Sequence, residues 1–328
     1  MKYVVTGATG FIGGRLARQL ARAEHQVVAI VRDPAKARDL AGVELRKGDV
    51  TDRASLREAM AGADGVFHLA GWYALGRLDA AKMQAINVDG ARNTLEVAAE
   101  LGVPRIVHTS TVGVFGNTHG KIVDETYSVG IEAMESEYER TKWSAHYKVA
   151  VPLQSRGAPV IIVQPGGVTG AGDTSPHVQT FESFLERIPV MFGAQSGLTW
   201  AHVDDVANGH TLAMEKGQPG EAYIIAGPAF TYRQTFELCE KYTGIAATKL
   251  WAPGWMAAGM SKLAGVLESV GMHLQFSAEA LGTLADYTFW GSAERAQREL
   301  GWQPRPVENV LREILNDLQA RRTRRGRP

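Results

Sequence analysis

The 328-residue chain has a single cysteine, Cys239, so no disulfide can form within it and a reducing, cytoplasmic compartment is expected. Neither sign of charge prevails: 35 lysines and arginines face 35 aspartates and glutamates. That balance offers no global field for gathering nucleic acid or an acidic membrane, and small-molecule chemistry is the default expectation. An amino-terminal leader of the charged, apolar and small-residue kind is also missing. Long apolar runs are scarce. Residues 251–274 gather Met256, Met260, Leu263, Val266 and Leu267, but Pro253, several glycines, Lys262 and Glu268 interrupt them before a bilayer-spanning length is reached. A buried or lid helix is expected there rather than membrane contact, and no membrane span. The histidines show no ligand spacing such as H-E-x-x-H, and Cys239 stands at a helical position among Phe236, Leu238 and Tyr242, so neither a metal site nor a nucleophilic thiol is expected. No internal repeat occurs, and the one biased segment, arginine-rich residues 321–327, reads as a solvated, frayed end.

What the chain does have is rhythm. Short runs rich in valine and isoleucine recur at residues 3–5, 27–31, 65–69, 105–109 and 160–163, each followed by helical spacing. Continuous short runs signify strands buried on both faces, and strands alternating with helices form right-handed crossovers. The fold class is therefore α/β: a doubly wound parallel sheet, the Rossmann fold, with ligands at the carboxyl ends of its strands. After about residue 170 the rhythm breaks. Residues 170–173 read as a loop, 222–225 as an isolated strand, and 233–243, 255–273, 292–300 and 307–321 as helices. Residues 1–169 are expected to bind a dinucleotide, with about 199–216 returning to them, and 170–328 to form mainly a smaller, mostly helical and discontinuous substrate lobe.

The first loop, TGATGFIGG, places Gly7, Gly10 and Gly13 three residues apart directly after the first strand. Such glycines let a strand turn sharply into a helix and leave the helix N–H groups open to a pyrophosphate. The second strand ends at Arg32, where an acid would bond the ribose 2′-hydroxyl of NAD; a guanidinium, with Lys36 and Arg38 following, favours a 2′-phosphate and hence NADP(H). Asp33, followed by Pro34, reads as the N-cap of the next helix. Tyr138 and Lys142 lie four apart in a stretch, 136–148, without glycine or proline. One helix face then carries a phenol and an ammonium, and the cation is expected to pull the phenol's pKa down into an acid/base range. The fifth strand ends in His108-Thr109-Ser110-Thr111, whose hydroxyls emerge at the same carboxyl edge and offer a hydrogen bond to a substrate oxygen. Adjacent Asp204 and Asp205 read as helix caps rather than a paired acid/base site.

These motifs together resemble the extended short-chain dehydrogenase/reductase family over nearly the whole chain. Thr6 to Gly13 is similar to its nucleotide loop, Gly48-Asp49-Val50-Thr51-Asp52 to its adenine-contacting turn, His68-Leu69-Ala70 to its fourth-strand signature and Asn87-Val88-Asp89-Gly90 to its helix asparagine motif. Thr109-Ser110-Thr111 with Tyr138 and Lys142 resembles the catalytic set, and Pro165-Gly166-Gly167-Val168, His202 to Ala207 and Leu300 to Pro304 match later landmarks. Within the family, Val31 to Pro34 most resembles the dihydroflavonol 4-reductase and cinnamoyl-CoA reductase branch, which uses NADPH; sugar-nucleotide epimerases and 3β-hydroxysteroid dehydrogenases are neighbouring branches.

The resemblance implies hydride transfer between nicotinamide and a carbonyl or alcohol, with Tyr138 as proton donor, Lys142 holding the nicotinamide ribose and Thr111 orienting the carbonyl oxygen. It implies cofactor contacts from Gly7, Thr9, Gly10, Phe11, Ile12, Gly13, Arg32, Lys36, Asp49, Val50, Leu69, Ala70, Thr109, Tyr138, Lys142, Pro165 and Val168. Ser110 competes with Thr111 as the hydroxyl catalyst, and Asn87 serves either the nicotinamide side or its own backbone. Trp72 and Tyr73, with Phe181, Phe184, Met191, Phe192 and Trp200, are expected to line an apolar substrate pocket, and Gln164 and Thr169 depart from the sugar-nucleotide pattern. A homodimer through residues 81–101 and 136–150 is implied as well. The reading from another class is a cofactor sensor without turnover, against which stand Tyr138 and Lys142.

Overall fold

The computed structural model describes residues 1–37, 39–73, 80–269 and 277–324. The first half runs β1 (Lys2–Thr6), α1 (Phe11–Arg22), β2 (Gln26–Val31), β3 (Glu44–Lys47), α2 (Arg53–Met60), β4 (Gly65–His68), α3 (Ala80–Met83), α4 (Gly90–Glu100), β5 (Ile106–Thr109), α5 (Glu137–Ala145), α6 (Val151–Ser155) and β6 (Val160–Pro165). The second continues through β7 (Gly167–Thr169), α7 (Val178–Leu185), β8 (Val190–Met191), β9 (Gly197–His202), α8 (Val203–Lys216), β10 (Ala222–Ile225), β11 (Ala229–Thr231), α9 (Tyr232–Thr243), β12 (Leu250–Trp251), α10 (Gly254–Ser269), α11 (Ala278–Gly282), β13 (Thr288–Phe289) and α12 (Val307–Arg324).

Seven parallel strands form one sheet in the order β10-β6-β5-β4-β1-β2-β3. Strand order reverses between β1 and β4, and a crevice for ligands opens outside their carboxyl ends. Successive residues explain the unbroken apolar runs: Val5 packs with Leu16, Leu20 and Ala207 on one face, while Val4 packs with Leu56, Val66 and Leu95 on the other. The five expected strands are present. Two corrections arise at the sheet's edges. β3, with the sequence ELRK, has no apolar run yet pairs with β2, because an edge strand needs little burial. Residues 222–225 are not isolated: β10 pairs in parallel with β6, Ala222 beside Ile162 and Ile225 beside Pro165, a partnership that local pattern cannot reveal.

α8 lies on the main sheet's α1 side, where Gln19 donates to the Asp204 carbonyl and Arg15 pairs with the Asp204 carboxylate. The aspartates are not its caps. His202 is the N-cap, accepting from Asp204 N through Nδ1, and Asp205 instead grips the Arg305 guanidinium and accepts from Arg305 N. The acids thus sit in the first turn, where the helix dipole favours them. A second, smaller sheet centres on β9, flanked by β11 and β13 and joined by β7. Against it α7, α9 and α12 bury Phe181, Phe184, Trp200, Phe236, Leu311 and Ile314. Cys239 lies in this core, and burial pushes its thiol up to about 12, which leaves it inert.

Two other expectations change. Arg321 and Arg322 do not fray: they belong to α12, Arg321 donating to the Asp173 carbonyl at 2.8 Å and Arg322 pairing with Glu186 at 2.7 Å. Arg325 and Arg327 lie outside the described residues. The helix expected over 255–273 is helical through Ser269, with 270–273 outside the described residues, but it is not a buried helix. It meets α11 through small residues, burying Ala257 and Ala264, and leaves Trp255, Met256, Met260 and Leu263 outside, because small side chains let the two backbones approach. Among the described residues no helix is long and apolar enough to cross a membrane.

Candidate active site

The glycine loop owes its shape to two tight contacts. Gly7 has φ +73°, and a Cβ there would lie 2.6 Å from the backbone of Leu69 and Ala70; at Gly13 a Cβ would lie 2.3 Å from the Gly7 oxygen. Those glycines let the exits of β1 and β4 and the start of α1 meet. Thr6 fastens the same corner, its hydroxyl 2.9 Å from His68 Nδ1 and accepting from Ala70 N. Gly10 differs, being the N-cap of α1 with no side-chain cap and no acid in the first turn. Phe11, Ile12 and Gly13 therefore turn uncapped N–H groups, at the positive end of the helix dipole, toward the loop that carries exposed Thr9. This cradle fits a dinucleotide pyrophosphate.

Farther out, Asp33 is the expected N-cap, accepting from Ala35 N at 3.0 Å. Arg32 is exposed at the tip of β2 and has no hydrogen-bond or ion-pair partner among the described residues. Lys36 stands in the following single turn; Arg38 lies outside the described residues. Asp49 accepts from the Thr51 N–H and hydroxyl at 2.9 and 2.8 Å, and Val50 is buried against Gly90. Leu69 and Ala70 are half-buried at the β4 exit.

Ser136 caps α5 by accepting from Glu139 N, and the helix then sets Tyr138 and Lys142 one turn apart. Lys142 Nζ donates to the Thr109 carbonyl at 2.7 Å, tying α5 to the end of β5. Thr111 accepts from Gly113 N at 3.1 Å, and its side chain faces the Tyr138 phenol. Its hydroxyl lies 3.5 Å from the carbonyl of Pro165, beyond which half-buried Val168 sits in β7. Ser110 points away, buried, 2.8 Å from His146 Nδ1. Thr109 sends its hydroxyl to His210 Nε2 at 2.9 Å; His210 Nδ1 is spent on the Val206 carbonyl, so Nε2 is the acceptor. Of the three hydroxyls only Thr111 meets Tyr138.

Electrostatics revises one expectation. Burial pushes Tyr138 up to about 12, with the neighbouring Glu139 charge adding to the rise and the Thr111 side chain opposing it. The ammonium does not pull the phenol down, because desolvation outweighs helix-face proximity and Lys142 is turned to Thr109. Lys142 is itself pushed down to about 8 by burial. Around it burial holds His68 and His146 at about 3 and His108 well below the usual histidine range, so these imidazoles are neutral. Glu139, buried and raised to about 7, accepts from Ser136, Glu135 N and the Tyr287 hydroxyl.

The substrate side is built by a π turn, Gln84–Asp89, that aims Asn87 at the Trp72 backbone: Oδ1 accepts from Trp72 N at 2.6 Å and Nδ2 donates to Trp72 O at 3.0 Å. Asn87 does not bond its own helix: it ties the Trp72 backbone to α5, its Nδ2 also donating to the Thr141 hydroxyl at 3.0 Å. Lys82 sits 3.1 Å over the Trp72 ring, and the Tyr73 ring lies 4.4 Å from that of Tyr138 and 6.0 Å from His177. Phe181, Phe184 and Trp200 do not line this opening; they are fully buried core, since β9 needs a covered face. Met191 and Phe192 are half-buried. Glu139, His146 and His210 escaped the sequence reading because polar residues on buried helix faces carry no local motif.

Residues 3–226 match the model of the NAD dependent epimerase/dehydratase family. Across 97% of this chain and 94% of its own length, a Synechocystis protein provisionally named dihydroflavonol 4-reductase is 29% identical. Sterol demethylase protein B of Methylococcus capsulatus is 31% identical over 82% of each chain. The crystal structure of a protein designated gox2253 superposes with a TM-score of 0.83 at 29% identity, covering 97% of this chain and 98% of that one.

Lys142 gives the site a pH signature. Its folded value near 8 lies below the ordinary 10.5, so the unfolded chain binds more protons between those values and stability rises with pH across that window. Lys142→Met should remove this rise, worth roughly 3 kcal/mol in full. Urea unfolding at both ends of the window checks it, and identical slopes for the two proteins would contradict the buried placement.

Proposed function

The chain belongs to the NAD dependent epimerase/dehydratase family, and from that membership we propose that it is an NADP(H)-dependent oxidoreductase acting on a carbonyl or alcohol of a small, largely apolar or aromatic substrate. The observation that carries this reading is the convergence of Tyr138 and Lys142, one helical turn apart on α5, with Thr111 and the glycine loop at the carboxyl edge of one sheet. When bound, the nicotinamide supplies or accepts the hydride. Thr111 orients the substrate oxygen and Tyr138 gives its phenolic proton to the oxygen as it becomes an alkoxide. A phenol that stays protonated to about 12 is a donor at neutral pH, which supports the reducing direction. Lys142, with Thr109, Pro165 and Val168, borders the nicotinamide end; the loop glycines with Thr9, Phe11 and Ile12 hold the pyrophosphate; Asp49, Val50, Leu69 and Ala70 border the adenosine.

In this proposal residues 1–169 form the dinucleotide-binding part and the rest of 170–328 mainly receives substrate; of the returning stretch expected at 199–216 only α8 joins the main sheet, since β9 centres the second one, and β10 joins it as well. Tyr73, its ring 4.4 Å from that of Tyr138, gives that opening a flat wall, with Trp72 just before it in the chain. The dihydroflavonol and sterol in the names of two relatives are flat, greasy bodies of the same kind. Arg32, exposed at the β2 tip, supports NADP(H) over NAD. The proposed setting is the cytoplasm.

Tyr138→Phe should lower turnover roughly 10²–10⁴-fold while NADPH still binds. The measurement is NADPH oxidation with aldehydes, ketones, flavanonols, steroids and acyl-CoA esters, beside NADPH titration. Undiminished reductase activity in the variant would refute the assignment, and binding without any turnover in the wild type would favour a sensor; activity on sugar nucleotides alone would favour an epimerase or dehydratase. Arg32→Ala should weaken NADPH about ten- to a hundredfold and barely change NADH. Equal losses in paired titrations would mean that another group reads the ribose. A two-fold homodimer is expected through the helices spanning residues 81–101 and 136–150, and a purely monomeric protein in sedimentation at micromolar concentration would remove it.

A further inference from the structure

α10 is built inside out. Its inward face is small: Ala257 and Ala264 are buried, and Ser261 donates to the Ala278 carbonyl at 2.8 Å. The opposite face is large and apolar, with Trp255 74% exposed, Leu263 62% exposed, and Met256 and Met260 exposed between them. The strand pair just before it extends the surface, since β12 and β8 place Leu250 and Val190 side by side and both are exposed. Scattered exposed apolar side chains need no explanation, but Trp255, Met256, Met260, Leu263 and Val266 along one helix do.

We propose that this ridge docks the protein in the plane of an anionic lipid leaflet, as a monotopic surface. Two observations favour lipid over a second protein. Exposed cations rim the ridge: Lys262 on the flank of α10, Lys249 beside Leu250, and Arg187 near Val190. The nearby carboxylate of Asp286 lies instead against Gly254, at the foot of the helix. Finally, tryptophan and large aliphatic residues beside lysine and arginine are the composition of interfacial helices, which seat at the headgroup boundary without crossing.

The position gives docking a consequence. α10 rests on α11, whose Glu279 accepts from Glu137 N at 3.0 Å in the first turn of α5, the residue beside Tyr138. A leaflet under α10 therefore lies one helix away from the catalytic helix, where a greasy substrate could pass from bilayer to site. Docking itself does not depend on what the site reduces.

The test is flotation of the full-length protein with vesicles of phosphatidylcholine and phosphatidylglycerol, and with phosphatidylcholine alone. Wild type should float with the mixed vesicles and less with phosphatidylcholine or at high salt. Trp255→Glu with Leu263→Glu should cut partitioning by at least about tenfold, the scale of one large apolar side chain. Lys249→Gln with Lys262→Gln keeps every apolar contact and should lose the preference for anionic vesicles, so the proposal stays testable if the glutamate variant misfolds. Wild type that floats with neither vesicle, or a folded glutamate variant that floats like wild type, overturns it. So does a wild-type dimer that the glutamate pair dissociates, which would make the ridge a protein interface.

Discussion

The arrangement of the site depends on burying one ammonium. Lys142 reaches through the protein to the Thr109 carbonyl, and that bond joins α5 to the carboxyl end of β5. A buried cation survives only where nothing of like charge surrounds it and a polar atom receives it. Both conditions hold: the imidazoles of His68, His108 and His146 are kept neutral by the same burial, and the carbonyl lies 2.7 Å away. With α5 pinned, Tyr138 comes to rest against Thr111, while Ser110, one residue earlier, is turned into the interior toward His146. Strand alternation sends neighbouring hydroxyls to opposite sides.

Tyr138 owes as much to its neighbour Glu139 as to the lysine. That glutamate is buried on the helix's other side and held by Ser136, the Glu135 backbone and Tyr287. Its charge and the dry surroundings keep the phenol protonated. Tyr287 precedes β13, and Glu279 of α11 reaches the first turn of α5, so the second half of the chain grips α5 at two points. The small lobe is thus more than a cover: its contacts set the environment of a residue that belongs to the larger sheet.

The outward face of α10 results from a competition in the same lobe. A helix with apolar residues on opposite faces can press only one of them against its neighbour, and the side with alanine, serine and glycine permits the closer approach. The bulky residues are left outside. The lobe's interior had already been filled by Phe181, Phe184, Trp200 and Phe236 around β9, which is why those aromatics are unavailable to a substrate.

The features that could be read from sequence were those set by neighbours in the chain. The glycines of the first loop, the doubly apolar runs of the central strands, the cap at Asp33 and the one-turn spacing of Tyr138 and Lys142 are all local, and local backbone geometry enforces them. Tertiary structure alone decided the rest. β3 and β10 exist through hydrogen bonds to distant strands; His202 displaced the aspartates as the cap of α8; the phenol's pKa rose rather than fell; and the bulk of α10 turned outward. Each of these outcomes depends on which groups lose water when remote segments meet, and desolvation belongs to the assembled surface rather than to any stretch of sequence.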